Sequence, residues 1–172
     1  MISERLDKAI REVPNFPKEG INFKDITPLL MDSQLTNDII DTFINQLNGI
    51  KLDAIVGIES RGFLFGFLLA NKMGVPFIPI RKVGKLPEET LKYKYDLEYG
   101  SAEVEVHKSD IHTQWNVLVH DDLLATGGTA KAAAVLVEKV KAKVTGFAFI
   151  IELTELNGIK EISNYKTISL VK

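Results

Sequence analysis

Thirteen consecutive residues, 117–129, read Val-Leu-Val-His-Asp-Asp-Leu-Leu-Ala-Thr-Gly-Gly-Thr and lead into an alanine-rich stretch. The apolar run predicts a buried strand, and the small residues after it predict a turn ahead of a helix. A strand ending in Asp121 and Asp122 carries two charges to the carboxyl edge of a sheet, where open α/β folds keep their ligands. Ala125, Thr126, Gly127, Gly128 and Thr129 have no bulky side chain. Their main-chain N–H groups, with the first turn of the helix, can close around a phosphate dianion. An acid pair beside a phosphate cradle thus points to strand–turn–helix units in one mainly parallel sheet.

The rest of the chain fits that frame. Ile2, Leu6, Ala9, Ile10 and Val13 recur at helical spacing behind Ser3, and Pro14 ends the pattern. Residues 14–28 are too rich in Pro and Gly for a regular element and too apolar for a solvated linker, which predicts an ordered, packed loop. Leu35, Ile39, Ile40, Phe43, Ile44 and Leu47 form a second helical stripe closed by Asn48 and Gly49. Residues 54–58 read as a buried strand, 63–73 as a helix ended by Gly74, and 75–80 as another strand. A second such unit follows, with a strand at 117–120, a helix from Thr129 to about Lys141 and a strand at 144–153. Residues 103–107 alternate like a half-exposed strand, and 168–171 suit a last one. Between them, residues 81–100 are polar, rich in Lys and Tyr and weakly periodic, which suggests a long functional loop. No repeat or linker divides the 172 residues, so a single domain over 1–172 is expected.

Composition removes several function classes. A net charge of −2 offers no global field for nucleic acid or anionic lipid, so neither is expected as a partner. The absence of cysteine removes disulfide and thiolate chemistry and fits a reducing cytoplasm. The first residues lack a basic segment followed by an apolar one, and the apolar stretch near residues 62–70 is too short to span a bilayer. The three histidines, His107, His112 and His120, make no His-Glu-x-x-His pattern.

Two further segments carry chemistry. Gly57-Ile-Glu-Ser-Arg-Gly62 follows the first buried strand with the glycine spacing of a Walker loop, but Phe63 and Leu64 stand where that loop needs Lys and Ser or Thr. A strand-to-helix turn bearing Ser60 and Arg61 still suits a pyrophosphate group. The chain has four arginines against seventeen lysines, and two of them, Arg61 and Arg81, lie just past expected strands. A guanidinium binds phosphate in a planar, bidentate way that ammonium cannot, a physical motive for arginine there.

Residues 117–129 resemble the phosphoribosyl pyrophosphate (PRPP) motif of the type I phosphoribosyltransferases. Phe16-Pro-Lys-Glu-Gly-Ile-Asn-Phe-Lys-Asp-Ile-Thr-Pro28, Gly57-Ile-Glu-Ser-Arg-Gly-Phe63, Arg81-Lys-Val-Gly-Lys-Leu-Pro87 and Tyr95-Asp-Leu-Glu-Tyr-Gly100 extend the resemblance, in order, to the adenine-specific branch of that family. The resemblance implies a single α/β domain with a mostly parallel central sheet flanked by helices. It adds an N-terminal helix and hood over the base site at about 1–30 and a mobile catalytic lid at about 81–100. It also implies purine salvage: the 5-phosphoribosyl group passes from PRPP to N9 of adenine, giving AMP and pyrophosphate, in a Mg2+-dependent cytoplasmic homodimer.

By the same resemblance, Asp121 and Asp122 hold the ribose hydroxyls, and Ala125, Thr126, Gly127, Gly128 and Thr129 receive the 5-phosphate. Ser60, Arg61, Arg81, Lys82 and Lys85 oppose pyrophosphate, with Arg81 also the candidate to reach across a dimer. Asn22, Phe23, Lys24 and Arg61 surround adenine, Phe23 by its ring and Asn22 by its main chain. Glu98 matches the catalytic loop glutamate; stabilising a cationic sugar and handling the N9 proton both remain open for it. No metal is expected to be held directly by the protein, since magnesium rides mainly on PRPP oxygens. His120 stands where an aliphatic residue is usual, as either a pH-sensitive neighbour of the acids or a tolerated polar group at a strand end. An oxopurine transferase and a PRPP-sensing regulator are the competing readings. The hood and Leu-Glu-Tyr-Gly oppose the first, and the lack of a DNA-binding extension or basic face opposes the second.

Overall fold

Ala54–Ile58 (β3) is buried at every position, and its alternating side chains feed two different cores, which a strand does only when both faces of its sheet are covered. In the computed structural model, which describes residues 1–96 and 100–172, β3 lies at the centre of a seven-stranded sheet. Around it are Phe77–Lys82 (β4), Thr90–Asp96 (β5), Ser101–His107 (β6), Asn116–Leu124 (β7), Lys143–Glu152 (β8) and Thr167–Val171 (β9), in the order β5-β6-β4-β3-β7-β8-β9. β4, β3, β7, β8 and β9 run parallel, and the β5–β6 hairpin adds two antiparallel strands at one edge.

One face packs Ala54, Val56, Ile80, Val117 and Val119 against Ala133, Leu136 and Val137 of helix Gly128–Lys139 (α5). The other packs Ile55, Leu118 and Ile150 against Phe65 and Leu69 of Gly62–Met73 (α4) and Ile39 and Phe43 of Ser33–Gln46 (α3). Alanines on α5 let the helix approach the sheet closely, so the turn before it is fixed by a rigid layer.

Several boundaries differ from the sequence expectation. The first helix (α1, Ile2–Ala9) stops before Val13, because Arg11–Pro14 (β1) pairs antiparallel with Asn22–Asp25 (β2), Val13 opposite Phe23. Val13 falls on the helical spacing of α1, yet its branched side chain suits the strand it joins. Residues 14–28 are thus not wholly irregular: they contain β2 and the start of Thr27–Met31 (α2), where the Asp25 carboxylate accepts from Thr27 N at 2.9 Å and Oγ1 at 2.6 Å.

The largest difference lies in residues 81–100. Instead of one long loop they contain the end of β4 and all of β5, which pairs with β6 from Thr90↔His107 to Asp96↔Ser101. Leu91, Tyr93 and Tyr95 turn to the core on the α5 side while Lys92, Lys94 and Asp96 are exposed. That period of two is masked by the polarity of its lysines. β7 also runs four residues past the expected 117–120, to Leu124, so His120 is interior to the strand and fully buried.

Candidate active site

The site forms where β3 and β7 end side by side, because parallel neighbours with helices behind them open a crevice at their carboxyl edge. β3 passes into the turn at Glu59, Ser60 and Arg61, whose Glu59–Ser60 peptide is cis, and α4 starts at Gly62. β7 brings Asp121 and Asp122 beside it. Gly62 is required there: a Cβ would lie 2.9 Å from both Asp121 Oδ1 and the His120 carbonyl. A cleft of about 380 Å3 is lined by Glu59, Ser60, Arg61, Lys82, Asp121, Asp122 and Leu123.

The two acids differ in their surroundings. Asp122 is buried and forms a charge pair with Arg61, Nε to Oδ2 3.1 Å, without the alignment of a true hydrogen bond. Asp121 Oδ1 accepts from the Asp122 N–H at 2.9 Å. Burial first, and then the adjacent Asp122 charge, push the Asp121 carboxyl well above the usual range. Burial also raises Asp122, with Arg61 opposing the rise. The pair is therefore short of positive charge and hydrogen-bond donors.

Arg61 ties three parts together. Its guanidinium donates to the Lys24 carbonyl at 3.1 Å, lies 5.0 Å from the centre of the Phe23 ring and meets Asp122 on its other side. Phe23 is braced edge-on by Phe16 at 5.2 Å. The β1–β2 hairpin carrying Asn22, Phe23 and Lys24 is thereby fastened to the acid pair. Asn22 Nδ2 and Lys24 Nζ both bind the Glu12 carboxylate, which leaves recognition to the Phe23 ring and the hairpin main chain.

Beyond Leu124, residues Asp121, Ala125, Thr126, Gly127, Thr129, Ala130 and Phe149 surround a hollow of about 80 Å3. Gly127 has φ +85°, and Gly158 presses against the turn from behind, where any Cβ would collide with the Ala125 carbonyl. Two glycines thus let the 3₁₀ turn Gly158–Ile162 buttress the loop. Tyr95 Oη lies 2.9 Å from Thr129 Oγ1.

The structure does not bring every expected residue to one place. Lys82 reaches the cleft, but Arg81 is engaged by Glu59 at 3.1 and 3.3 Å and by the Lys85 carbonyl at 3.2 Å. Burial works against Glu59 ionising, but Arg81 and the Lys82 N–H outweigh it and hold its carboxyl below the usual range. Lys85 offers its main-chain N–H to buried Glu105, which also accepts from Leu86 N and Thr90 Oγ1, each at 3.0 Å. Glu98 lies outside the described residues. Glu59, Glu105 and Gly158 are given no role by the sequence, whereas Tyr95 opens the Tyr95–Gly100 segment of the resemblance and is expected either to pack when residues 81–100 close or to cover a strand edge; of the first three only Gly158, in an Asn-Gly turn dipeptide, carries a local signal.

Comparison with known proteins accords with this geometry. Residues 30–170 match the phosphoribosyl transferase domain. An adenine phosphoribosyltransferase of Thermoanaerobacter sp. (strain X514) is 51% identical over 172 residues, covering 100% of this chain and 99% of the relative. The crystal structure of an adenine phosphoribosyltransferase from Thermoanaerobacter pseudethanolicus superposes with a TM-score of 0.97 at 49% identity, over 100% of this chain and 99% of that one. A Saccharomyces cerevisiae adenine phosphoribosyltransferase, solved with an imino-altritol bisphosphate and adenine, gives 0.93 at 42% identity over 98% of both chains. A Trypanosoma brucei homologue, solved with AMP, pyrophosphate and ribose-5-phosphate, gives 0.89 at 28% identity over 99% of this chain and 79% of that one. The chain belongs to the phosphoribosyl transferase family and, within it, to the adenine phosphoribosyltransferases, glycosyltransferases that move a phosphoribosyl group from PRPP to adenine.

Proposed function

We propose that this chain joins N9 of adenine to C1 of the ribose of PRPP, releasing pyrophosphate and AMP, with magnesium required. The carrying observation is Arg61, which touches the Phe23 hairpin and Asp122 at once and so sets a base site beside a ribose site. In this reading adenine lies against Phe23, with the main chain at Asn22 and Lys24 matched to its edge. A purine presenting a carbonyl there leaves buried groups unpaired, at about 1–3 kcal/mol each.

Asp121 and Asp122 accept from the ribose hydroxyls, and the N–H groups of 125–129 hold the 5-phosphate. Bond breaking at C1 builds an oxocarbenium-like sugar and leaving-group charge. Ser60, Arg61 and Lys82 face that charge, Arg81 and Lys85 stand with them as the further cations for pyrophosphate, and Glu98 serves the cationic sugar or the N9 proton.

Among the described residues no cluster of three or more His, Cys, Asp or Glu is shaped to hold a metal ion. The Asp121–Asp122 pair, short of positive charge, would nevertheless fit a cation brought in by PRPP. Bound there, magnesium supplies neutralisation of the pyrophosphate. Exposed Leu64, Phe67 and Leu68 on α4, next to the pyrophosphate turn, suit contact with a second copy, so we read the enzyme as a homodimer. The family reading carries with it a cytoplasmic location; no helix among the described residues is long and apolar enough to cross a membrane. Incubation with PRPP and adenine, with magnesium or with excess EDTA, tests the scheme. AMP and pyrophosphate in equal amounts, only with magnesium, support it; equal rates in EDTA or PRPP hydrolysis without AMP refute it.

A further inference from the structure

Tyr95 and Thr129 come from elements of different kinds: Tyr95 from the edge strand β5, Thr129 from the first turn of α5 at the phosphate loop. Their hydroxyls meet at 2.9 Å, an arrangement in which either atom can donate. The Tyr95 ring is half-buried on the α5 side and lies over Gly128, where an added Cβ would stand 3.5 Å from Tyr95 Cδ2. With Asp121 and Thr129 it lines a cleft of about 470 Å3, and with Thr126, Gly128 and Lys131 an outer hollow of about 550 Å3, so the ring is the wall between them. A second tie between β5 and α5 stays clear of the loop: Lys139 Nζ lies 5.1 Å from the Tyr93 ring centre and donates to the Lys92 carbonyl.

A threonine hydroxyl has one proton and two lone pairs. To bind a phosphate oxygen, Thr129 must donate that proton, so any partner it keeps must donate to it. A phenol is the better donor of the two hydroxyls, because it gives up its proton more readily than an alcohol. We propose that Tyr95 is a positioning residue for the 5-phosphate: its phenol donates to Thr129 Oγ1 and turns the single Thr129 proton into the cradle. This rests on the assignment of 125–129 to the 5-phosphate. The chain phenol to alcohol to phosphate polarises along its length, each bond strengthening the next. It also ties cradle occupancy to β5, whose last residue, Asp96, lies two positions before Glu98. A ligand with a 5-phosphate therefore steadies the end of β5, and one without it does not.

The test is a double-mutant cycle on the full chain with Tyr95→Phe, Thr129→Val and the double variant, reading AMP binding by titration calorimetry and KM for PRPP and adenine by initial rates. Tyr95→Phe keeps the ring over Gly128 and removes only the hydroxyl. It is expected to weaken AMP binding and raise KM for PRPP by about fivefold, as loss of one hydrogen bond does, with KM for adenine and the melting temperature unchanged. In the Thr129→Val background the same change is expected to do nothing further. Full additivity, unchanged AMP binding, or equal loss toward adenine and AMP with a lower melting temperature overturns the proposal. Failure of the wild-type protein to bind AMP at all overturns the cradle assignment itself, a result distinct from normal wild-type binding with no effect of Tyr95→Phe.

Discussion

Arg61 Nε stands 3.1 Å from Asp122 Oδ2 while the same guanidinium lies 5.0 Å from the Phe23 ring centre, so one side chain sets the spacing between the aromatic hairpin and the acid pair. Lysine cannot do both, being a point charge without a plane to lay on the ring. Arg61→Lys is expected to lower kcat/KM for adenine by about a hundredfold, the equivalent of two lost charge-assisted contacts. Initial rates at saturating PRPP check this, and a change below threefold is incompatible with the bridging role.

Asp121 is held above its ordinary pKa by burial and by Asp122, so ionising it costs the ligand-free fold. For an acid raised on folding, the stabilisation is complete below the unfolded pKa and is lost as pH rises through the folded one. Asp121→Asn is therefore expected to stabilise the ligand-free protein at neutral pH by on the order of 1 kcal/mol, while, Asp121 being the proposed ribose acceptor, kcat/KM falls by about ten- to a hundredfold. Thermal melting and steady-state rates are read on the same samples; lower stability in the variant would contradict the account.

A strand, a turn and a helix were legible at each half of the sheet because the runs at 54–58 and 117–120 are apolar enough to be buried on both faces. The placement of the acid pair and of the glycine-rich turn at the carboxyl edge of the sheet was legible with them, since both follow directly on such a run. β6 was legible as the strand at 103–107, but its partner β5 was hidden by exposed lysines on alternate positions, and the β1–β2 hairpin by a valine that falls on the helical spacing of α1. Glu59 and Glu105 were invisible because their meaning lies in partners some twenty residues away, Arg81 and the Lys85 and Leu86 main chain. Glu98, the residue assigned the closest part in the chemistry, lies outside the described residues.

Of the two readings of His120, the structure removes the strand-end one. It is not at a strand end: it is fully buried in β7, edge-on to Phe43 at 5.7 Å, and its ring nitrogens make no well-formed hydrogen bond. Burial, offset only in part by the Ala148 main chain, pushes its pKa down to about 4. A base lowered on folding binds more protons unfolded, so its contribution is complete above the unfolded pKa near 6.5 and is lost as pH falls toward 4. Between those values it is expected to remove on the order of 3 kcal/mol of stability. Denaturation of wild type and His120→Leu across pH 4 to 7 checks this: the variant is expected to show the shallower slope, and parallel slopes would contradict the assignment.

Gly158 gives a prediction about shape rather than charge. A Cβ there would collide with the Ala125 carbonyl and stand 2.8 Å from Gly127 N, in the loop given to the 5-phosphate. Gly158→Ala is expected to raise KM for PRPP by about tenfold or more while KM for adenine changes little, since forced shifts of close-packed backbone cost about 1–3 kcal/mol. Equal KM values for PRPP in the two proteins would show that the turn does not support the cradle.

The Phe23 hairpin, fastened by Arg61 to the acid pair, is proposed to select adenine for attachment to PRPP. The most direct measurement is nucleotide formation from PRPP and magnesium with adenine, hypoxanthine and guanine offered separately. Robust AMP formation from adenine, with kcat/KM at least a hundredfold above either oxopurine, is the expected result, equivalent to about 3 kcal/mol of edge discrimination. Comparable turnover of hypoxanthine or guanine would contradict the role given to residues 22–24, and PRPP binding with no nucleotide formed from any base would contradict the enzyme assignment.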